Sequence, residues 1–187
     1  TTMIMQLVEE GAIQLDDPVR DHGVDIGSGD EVTVWHLLTH TSGLTYGFHN
    51  THVTDAIYRK GGFEWGNPPG ADLAECCALW ASMPLAFQPG SEWNYGVSTD
   101  VLGRLVEVVS GMTLDEFFRT RIFEPLGMTD TGFFVPEESL ERFATLYVRN
   151  PATGKAIAAP EGLGRVSTSP PAMLGGGGGL RTDGPRR

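Results

Sequence analysis

The sequence predicts an α/β chain that is mainly helical, with few strands, most of them beyond residue 128. Three observations predict it. Apolar residues recur at the three- and four-residue spacing of a helical face in several separate segments. Strand-like stretches are short and come late. Twenty-five glycines and twelve prolines cut the 187 residues into brief elements. Helices are expected over about 3–15, 33–39, 72–82, 99–110 and 114–123, each boundary good to about 2–4 residues.

The first helix rests on Met3, Ile4, Leu7 and Val8, with Gly11 as a left-handed stop. Its start is bare: no initiator Met precedes Thr1, and no acidic first turn follows. Thr1 or Thr2 offers only a weak cap. "AIQLDDPV" is a connector that Pro18 keeps from resuming a helix, and "HGVDIGSGDE" reads as a Gly-rich loop. Thr33 caps the second segment, which runs through Leu38 to a turn ending at Gly43. Residues 45–70, rich in Gly, Asn, His and Pro, read as a long irregular excursion of the kind that carries function.

Helical periodicity returns in "ADLAECCALWASMPL", with Leu73, Cys76, Cys77, Trp80 and Met83 on the apolar side. "STDVLGRLVEVVSG" has the clearest pattern. Ser98 or Thr99 is the expected cap, Val101, Leu102, Leu105, Val106 and Val109 the buried stripe, and Gly111 the end. "TLDEFFRTRIFEPLG" brings a capping box, Thr113 with Glu116, and Pro125 as terminator. "MTDTGFFV" reads as a strand or extended edge, "ERFATLYVRN" as a strand and "NPATGK" as a turn. "GGGGGLRTDGPRR" shows no periodicity, and no internal repeat is found.

Composition narrows the function. Hydrophobic residues make up 40% and charged residues 20%, as in a soluble globular domain. A net charge of −11 argues against nucleic acid and anionic membrane surfaces as partners. No apolar run reaches the ~20 residues of a membrane span, and no signal peptide is visible. Cys76 and Cys77 are adjacent and without a distant partner, so they read as buried thiols rather than a disulfide framework. That usage leans towards a reducing, cytoplasmic compartment. No oligomeric state is implied.

Three chemistries compete. His36 and His40 are four apart, and His49 and His52 lie close by, so a four-histidine metal cluster is one alternative. It lacks the Glu of HExxH, since Leu37 and Leu38 fill that gap, and satisfied structural histidines are the simpler reading. No metal and no cofactor is expected. No serine has the glycines of GxSxG, and Ile57 and Ala152 stand where SxxK would need a serine before Lys60 and Lys155. Cysteine chemistry is disfavoured by the apolar face around Cys76 and Cys77. Tyr95 remains. It follows a Pro-Gly turn and "EWN" and precedes the most apolar helix. It is either a core aromatic at the helix start or a phenol at a cleft mouth that can pass protons, and spacing does not choose between them.

Taken together, "VEEGAIQLDDPV", "VTVWHLLTHTSGL", "FQPGSEWNYGVSTDVLGRLVEVVSG", "MTLDEFFRTRIFEPLGMTDTGF" and "GGGGL" resemble successive landmarks of the serine β-lactamase-related superfamily. That group holds class C β-lactamases, D-alanyl-D-alanine carboxypeptidases and family VIII esterases. The resemblance spans Met3 to about Leu180, and the esterase branch is the nearest match. It implies a partial β-lactamase/transpeptidase-like α/β fold, mainly its helical portion. Residues 1–187 would then form a single domain truncated at both ends, with the departure at Arg181 in "LRTDGPRR" marking a truncation or frame shift.

The same resemblance implies acyl transfer on a small-molecule ester or amide. A Ser-x-x-Lys would precede Thr1, and its proton relay would run through the lysine and Tyr95. The tyrosine motif maps onto Tyr95-Gly96-Val97, where Val97 replaces the asparagine usual in β-lactamases, which favours esters over lactams. His40 and Ser42 are implied to be structural. The chain itself is expected to be inactive, with Tyr95 at the rim of a cleft and its hydroxyl facing the start of the first helix. A non-catalytic binding module with the same cleft is the other alternative.

Overall fold

The computed structural model describes residues 1–27, 31–64, 66–159 and 167–181. Among them helices dominate, and a single two-stranded sheet is present. The helices are α1 (Thr2–Glu9), α2 (Val34–Leu38), α3 (Val53–Lys60), α4 (Leu73–Ala81), α5 (Ser98–Ser110), α6 (Leu114–Phe118) and α7 (Glu124–Leu126). The strands β1 (Tyr147–Arg149) and β2 (Ala156–Ala158) pair antiparallel, with Val148 opposite Ile157. Both lie beyond residue 128, as expected.

The centre is α5, against which α1, α2, α4 and α6 all pack. Val101, Leu102, Leu105 and Val106 are buried, while Val109 at the helix end is half-buried. A stripe this wide lets one helix serve several neighbours at once. From α4 come Leu73, Cys76, Cys77 and Trp80, all buried, with Met83 just beyond. Both thiols are free, and burial pushes Cys76 up to about 11 and Cys77 up to about 12. They are packing groups at neutral pH. Among the described residues no helix is long and apolar enough to cross a membrane.

Several elements depart from expectation, each for a local reason. The first helix ends at Glu9 rather than near 15. Gly11 takes φ +71°, its N–H donates to Val8 O (3.0 Å), and Ala12 N–H donates to Leu7 O (2.9 Å). This paired closure satisfies the last carbonyls and turns the chain away. The excursion over 45–70 contains a helix, α3. Its cap is a histidine: Thr54 N–H donates to His52 Nδ1 (3.2 Å), and His52 N–H donates to the Asp55 carboxylate (2.9 Å). A box built on histidine escapes a search for Ser, Thr, Asp or Asn caps.

Neither Ser98 nor Thr99 caps α5. Val97 occupies that position without a side-chain bond, because the Ser98 hydroxyl is engaged by Ser42. Thr113 makes no side-chain cap either. The free Leu114 N–H is taken instead by Glu107 Oε1 (3.2 Å) from α5.

Pro125 does not terminate its helix. One wide π turn, Arg119–Phe123, intervenes, and α7 starts around the proline and ends at Gly127, φ +66°. A proline has no N–H for the carbonyl four residues back, Arg121 O. Gln6 Nε2 of α1 donates to that oxygen at 3.3 Å. "MTDTGFFV" forms no ladder beyond one bridge, Gly132 with Arg181, although Phe133 and Val135 are buried. Of "ERFATLYVRN" only Tyr147–Arg149 is strand, preceded by a 3-10 turn over Glu137–Arg142. A shorter 3-10 turn, Val19–His22, leads from "AIQLDDPV" into "HGVDIGSGDE". The rest of that loop at 28–30, and the tail 182–187, lie outside the described residues.

Candidate active site

Tyr95 sits one short step before α5 and is 44% exposed. The segment that carries it is tied to the turn after α2. Asn94 N–H donates to His40 O (2.9 Å), and Asn94 Nδ2 donates to Leu44 O (3.1 Å). Ser42 and Ser98 share a buried hydroxyl–hydroxyl bond of 2.9 Å. Gly90 N–H adds a bond to Thr41 O (2.8 Å), so the "QPG" turn is pinned to the same strip. Gly96 passes so close that a Cβ there would stand 2.4 Å from Leu44 O. The "HTSGL" turn is the seat on which "NYGVS" rests.

On that seat a group of rings gathers around Tyr95. His40 lies 4.8 Å away, Tyr46 5.4 Å and His49 6.5 Å between ring centroids. Tyr46 in turn stacks on Phe48 at 5.0 Å. Trp93 meets His40 edge-on at 6.4 Å. Such offset and tilted arrangements are the ones that aromatic pairs prefer. His40 adopts φ +55°, an uncommon left-handed backbone for a histidine, and its Nδ1 is buried with no hydrogen-bond partner among the described residues. Burial pushes its imidazole below the usual histidine value, so it is neutral at pH 7.

Tyr46 is the residue sequence reasoning missed. Burial pushes its phenol up, and the nearby Asp100 charge and the Tyr95 phenol push it further. It therefore stays protonated as a hydrogen-bond donor beside Tyr95. Its signal in the sequence was faint: one tyrosine in a stretch read as irregular. Val97 points inward and is buried, so its side chain is not available to a ligand.

The four histidines do not act together. His36 Nδ1 accepts from Thr33 N–H (3.3 Å) and His52 Nδ1 from Thr54 N–H (3.2 Å), while His40 and His49 flank Tyr95. Among the described residues no three His, Cys, Asp or Glu side chains converge in a way that could hold a metal ion. A cavity of about 600 Å³ opens elsewhere, lined by Phe123, Phe133, Val135, Phe143 and Leu174. None of the rings around Tyr95 lines it.

A mostly helical layer built on α5 matches solved structures of the serine β-lactamase/transpeptidase fold. The chain belongs to the Beta-lactamase family, whose family model matches residues 1–183. It is 40% identical over 152 residues to Esterase EstB of Burkholderia gladioli, covering 77% of this chain and 38% of that protein. Lovastatin esterase of Penicillium rubens is 34% identical over 197 residues, covering 95% of this chain and 44% of its own length. Among solved structures, EstCE1, described as a hydrolase with promiscuous acyltransferase activity, superposes with a TM-score of 0.76 at 27% identity. That match covers 97% of this chain and 52% of the other. The chain thus spans less than half the length of these two curated relatives. At the family level the chemistry is that of serine hydrolases and acyl transfer.

Proposed function

We propose that residues 1–187 are part of a single catalytic domain of a serine hydrolase that works by acyl transfer on small esters, with amides as the secondary class. Tyr95 is its proton-relaying phenol. The serine nucleophile and its lysine come from residues outside this sequence, because no Ser-x-x-Lys occurs within it. In the full reaction the serine oxygen attacks the carbonyl carbon and the alcohol departs with a proton passed through the lysine and Tyr95. Water then attacks the acyl-enzyme and releases the acid. The phenol works both ways, giving a proton to the leaving oxygen and taking one back.

The observation that carries this reading is the placement of Tyr95: exposed, yet held at the start of α5 by the bonds of Asn94 just before it and of Ser98 three residues after it. A phenol that only filled the core would not be 44% exposed. In this reading the hydroxyl faces the start of α1, a helix that packs on α5. The buried Val97, where an amide would otherwise meet an acylamino group, supports esters over lactams.

The test is turnover of p-nitrophenyl butyrate. The 187-residue chain is expected to give only the background rate. A longer form carrying Ser-x-x-Lys ahead of Thr1 is expected to hydrolyse the ester, and Tyr95→Phe to lower its kcat by about 10²–10⁴-fold. Serine-dependent turnover by the 187-residue chain itself would overturn the reading. A longer form that binds the ester without cleaving it would favour the non-catalytic module.

A further inference from the structure

Trp93 is 66% exposed, the most open of the rings that gather around Tyr95. It and Tyr95, two positions apart, both meet the imidazole of His40, at 6.4 and 4.8 Å between centroids. Asn94 between them is bonded to the turn after α2 through both its backbone N–H and its side chain. Beyond Tyr95 the contacts continue through Tyr46 at 5.4 Å to Phe48, 5.0 Å further on. Trp93, His40, Tyr95, Tyr46 and Phe48 thus form one row, with the phenol of Tyr95 at its middle and an exposed ring at each end.

Both halves of the row are tied to the scaffold. Asn94 holds the Trp93 side. On the other side the Asp55 carboxylate accepts from Thr45 Oγ1 (2.8 Å) ahead of Tyr46 and from Thr51 N–H (2.8 Å) beyond Phe48. Arg59 donates to Gly47 O between the two rings. Trp35, 55% exposed, makes no such ring contact among the described residues. A single exposed tryptophan of that kind needs no ligand to explain it. An exposed tryptophan that continues a row through the candidate site is a different matter.

We propose that this row is the substrate-binding strip of the site, that Trp93 is its specificity-determining residue, and that the esters it takes carry an aromatic ring on one arm. The inference rests on the acyl-transfer reading, to which it adds a substrate class. Two aromatic rings attract each other beyond the area they bury, because the negative face of one meets the positive edge of the other. A saturated ring of the same size lacks that fit. Rings already held in place lose little freedom when a ligand joins them. Burial pushes the His40 imidazole down and the Tyr46 phenol up, so both are uncharged at pH 7 and suit a neutral arm rather than an ionic one.

The test compares benzyl acetate with cyclohexylmethyl acetate, which match in carbon skeleton while the saturated ester is the more hydrophobic. Titrated into the 15N-labelled 187-residue chain, benzyl acetate is expected to shift the Trp93 indole N–H signal. It is expected to bind about 2–10-fold more tightly than the saturated ester. Trp93→Leu should abolish that preference, Trp93→Phe should restore most of it, and Trp35→Leu should leave it unchanged. No binding of either ester, equal affinities in the unsubstituted chain, or a preference that survives Trp93→Leu overturns the strip. If Trp93→Leu loses its helical circular dichroism, the two-ester comparison and the Trp93 signal of the unsubstituted chain decide alone. Binding is read here without turnover, so failure of the strip leaves the acyl-transfer reading intact. A longer form that binds benzyl acetate through Trp93 without cleaving it would sink that reading alone.

Discussion

The hydroxyls of Ser42 and Ser98 meet 2.9 Å apart in the buried interior, joining the turn after α2 to the first residue of α5. Fifty-six positions separate them in sequence. Ser42 Oγ also accepts from Leu44 N–H at 3.3 Å, so this one hydroxyl serves both the turn and the tyrosine segment. The contact explains why a serine at the start of α5 does not cap it.

Removing one hydroxyl leaves the other buried and unpaired. Ser42→Ala and Ser98→Ala are each expected to lower stability by about 1–3 kcal/mol. Ser42→Ala should cost more, because the Leu44 N–H is orphaned as well. The double variant should cost less than the sum, since it removes both polar partners together. Urea unfolding of the four proteins in a double-mutant cycle measures the coupling. Strictly additive losses would show that the bond contributes nothing.

Gly96→Ala tests the close approach of the tyrosine segment to the turn. The new methyl would stand 2.4 Å from Leu44 O, and a backbone atom cannot move aside as a flexible side chain can. A loss of about 1–3 kcal/mol is expected. Gly66→Ala is the control, because nothing lies within 4 Å of a Cβ there and its φ is not left-handed. Equal melting temperatures for the two variants would refute the tight fit.

Asp55 gives a pH signature. It is fully buried, and burial alone would raise its carboxyl. Bonds from His52 N–H (2.9 Å), Thr45 Oγ1 (2.8 Å) and Thr51 N–H (2.8 Å) outweigh burial and hold it below the usual carboxylate range. A depressed folded value means that its stabilisation is present above the unfolded value of about 3.9. The contribution is lost as pH falls through the folded value. Asp55→Asn is expected to cost about 1–3 kcal/mol at pH 7, and the gap to the unsubstituted chain should close in strongly acidic solution. Denaturant midpoints at pH 7 and at acidic pH check this. A gap independent of pH would assign the cost to packing instead.

Much of the helical layer was legible because helical periodicity and caps are local properties. Thr33 and Gly111 bound their helices where the sequence places them. The stripe on 101–109 was readable for the same reason. By contrast α3 was hidden, because its cap is a histidine whose role as an acceptor depends on ring geometry. The continuation past Pro125 was hidden too, because Gln6, more than a hundred residues away, takes the carbonyl that the proline leaves free.

The candidate site divides in the same way. By itself the sequence determined the family resemblance, the helix that follows Tyr95 and the absence of Ser-x-x-Lys, since each is a matter of residue order. Only the tertiary structure decided that Tyr95 is partly exposed, that Tyr46 and His40 stand beside it, and that His36 and His52 cap helices. It also turned an unpatterned run of glycines into the partner of Asp100. The physical reason is range. Periodicity and capping act within a turn or two of the chain, whereas hydrogen bonds between distant loops and the burial of a carboxylate exist only once the chain has closed on itself.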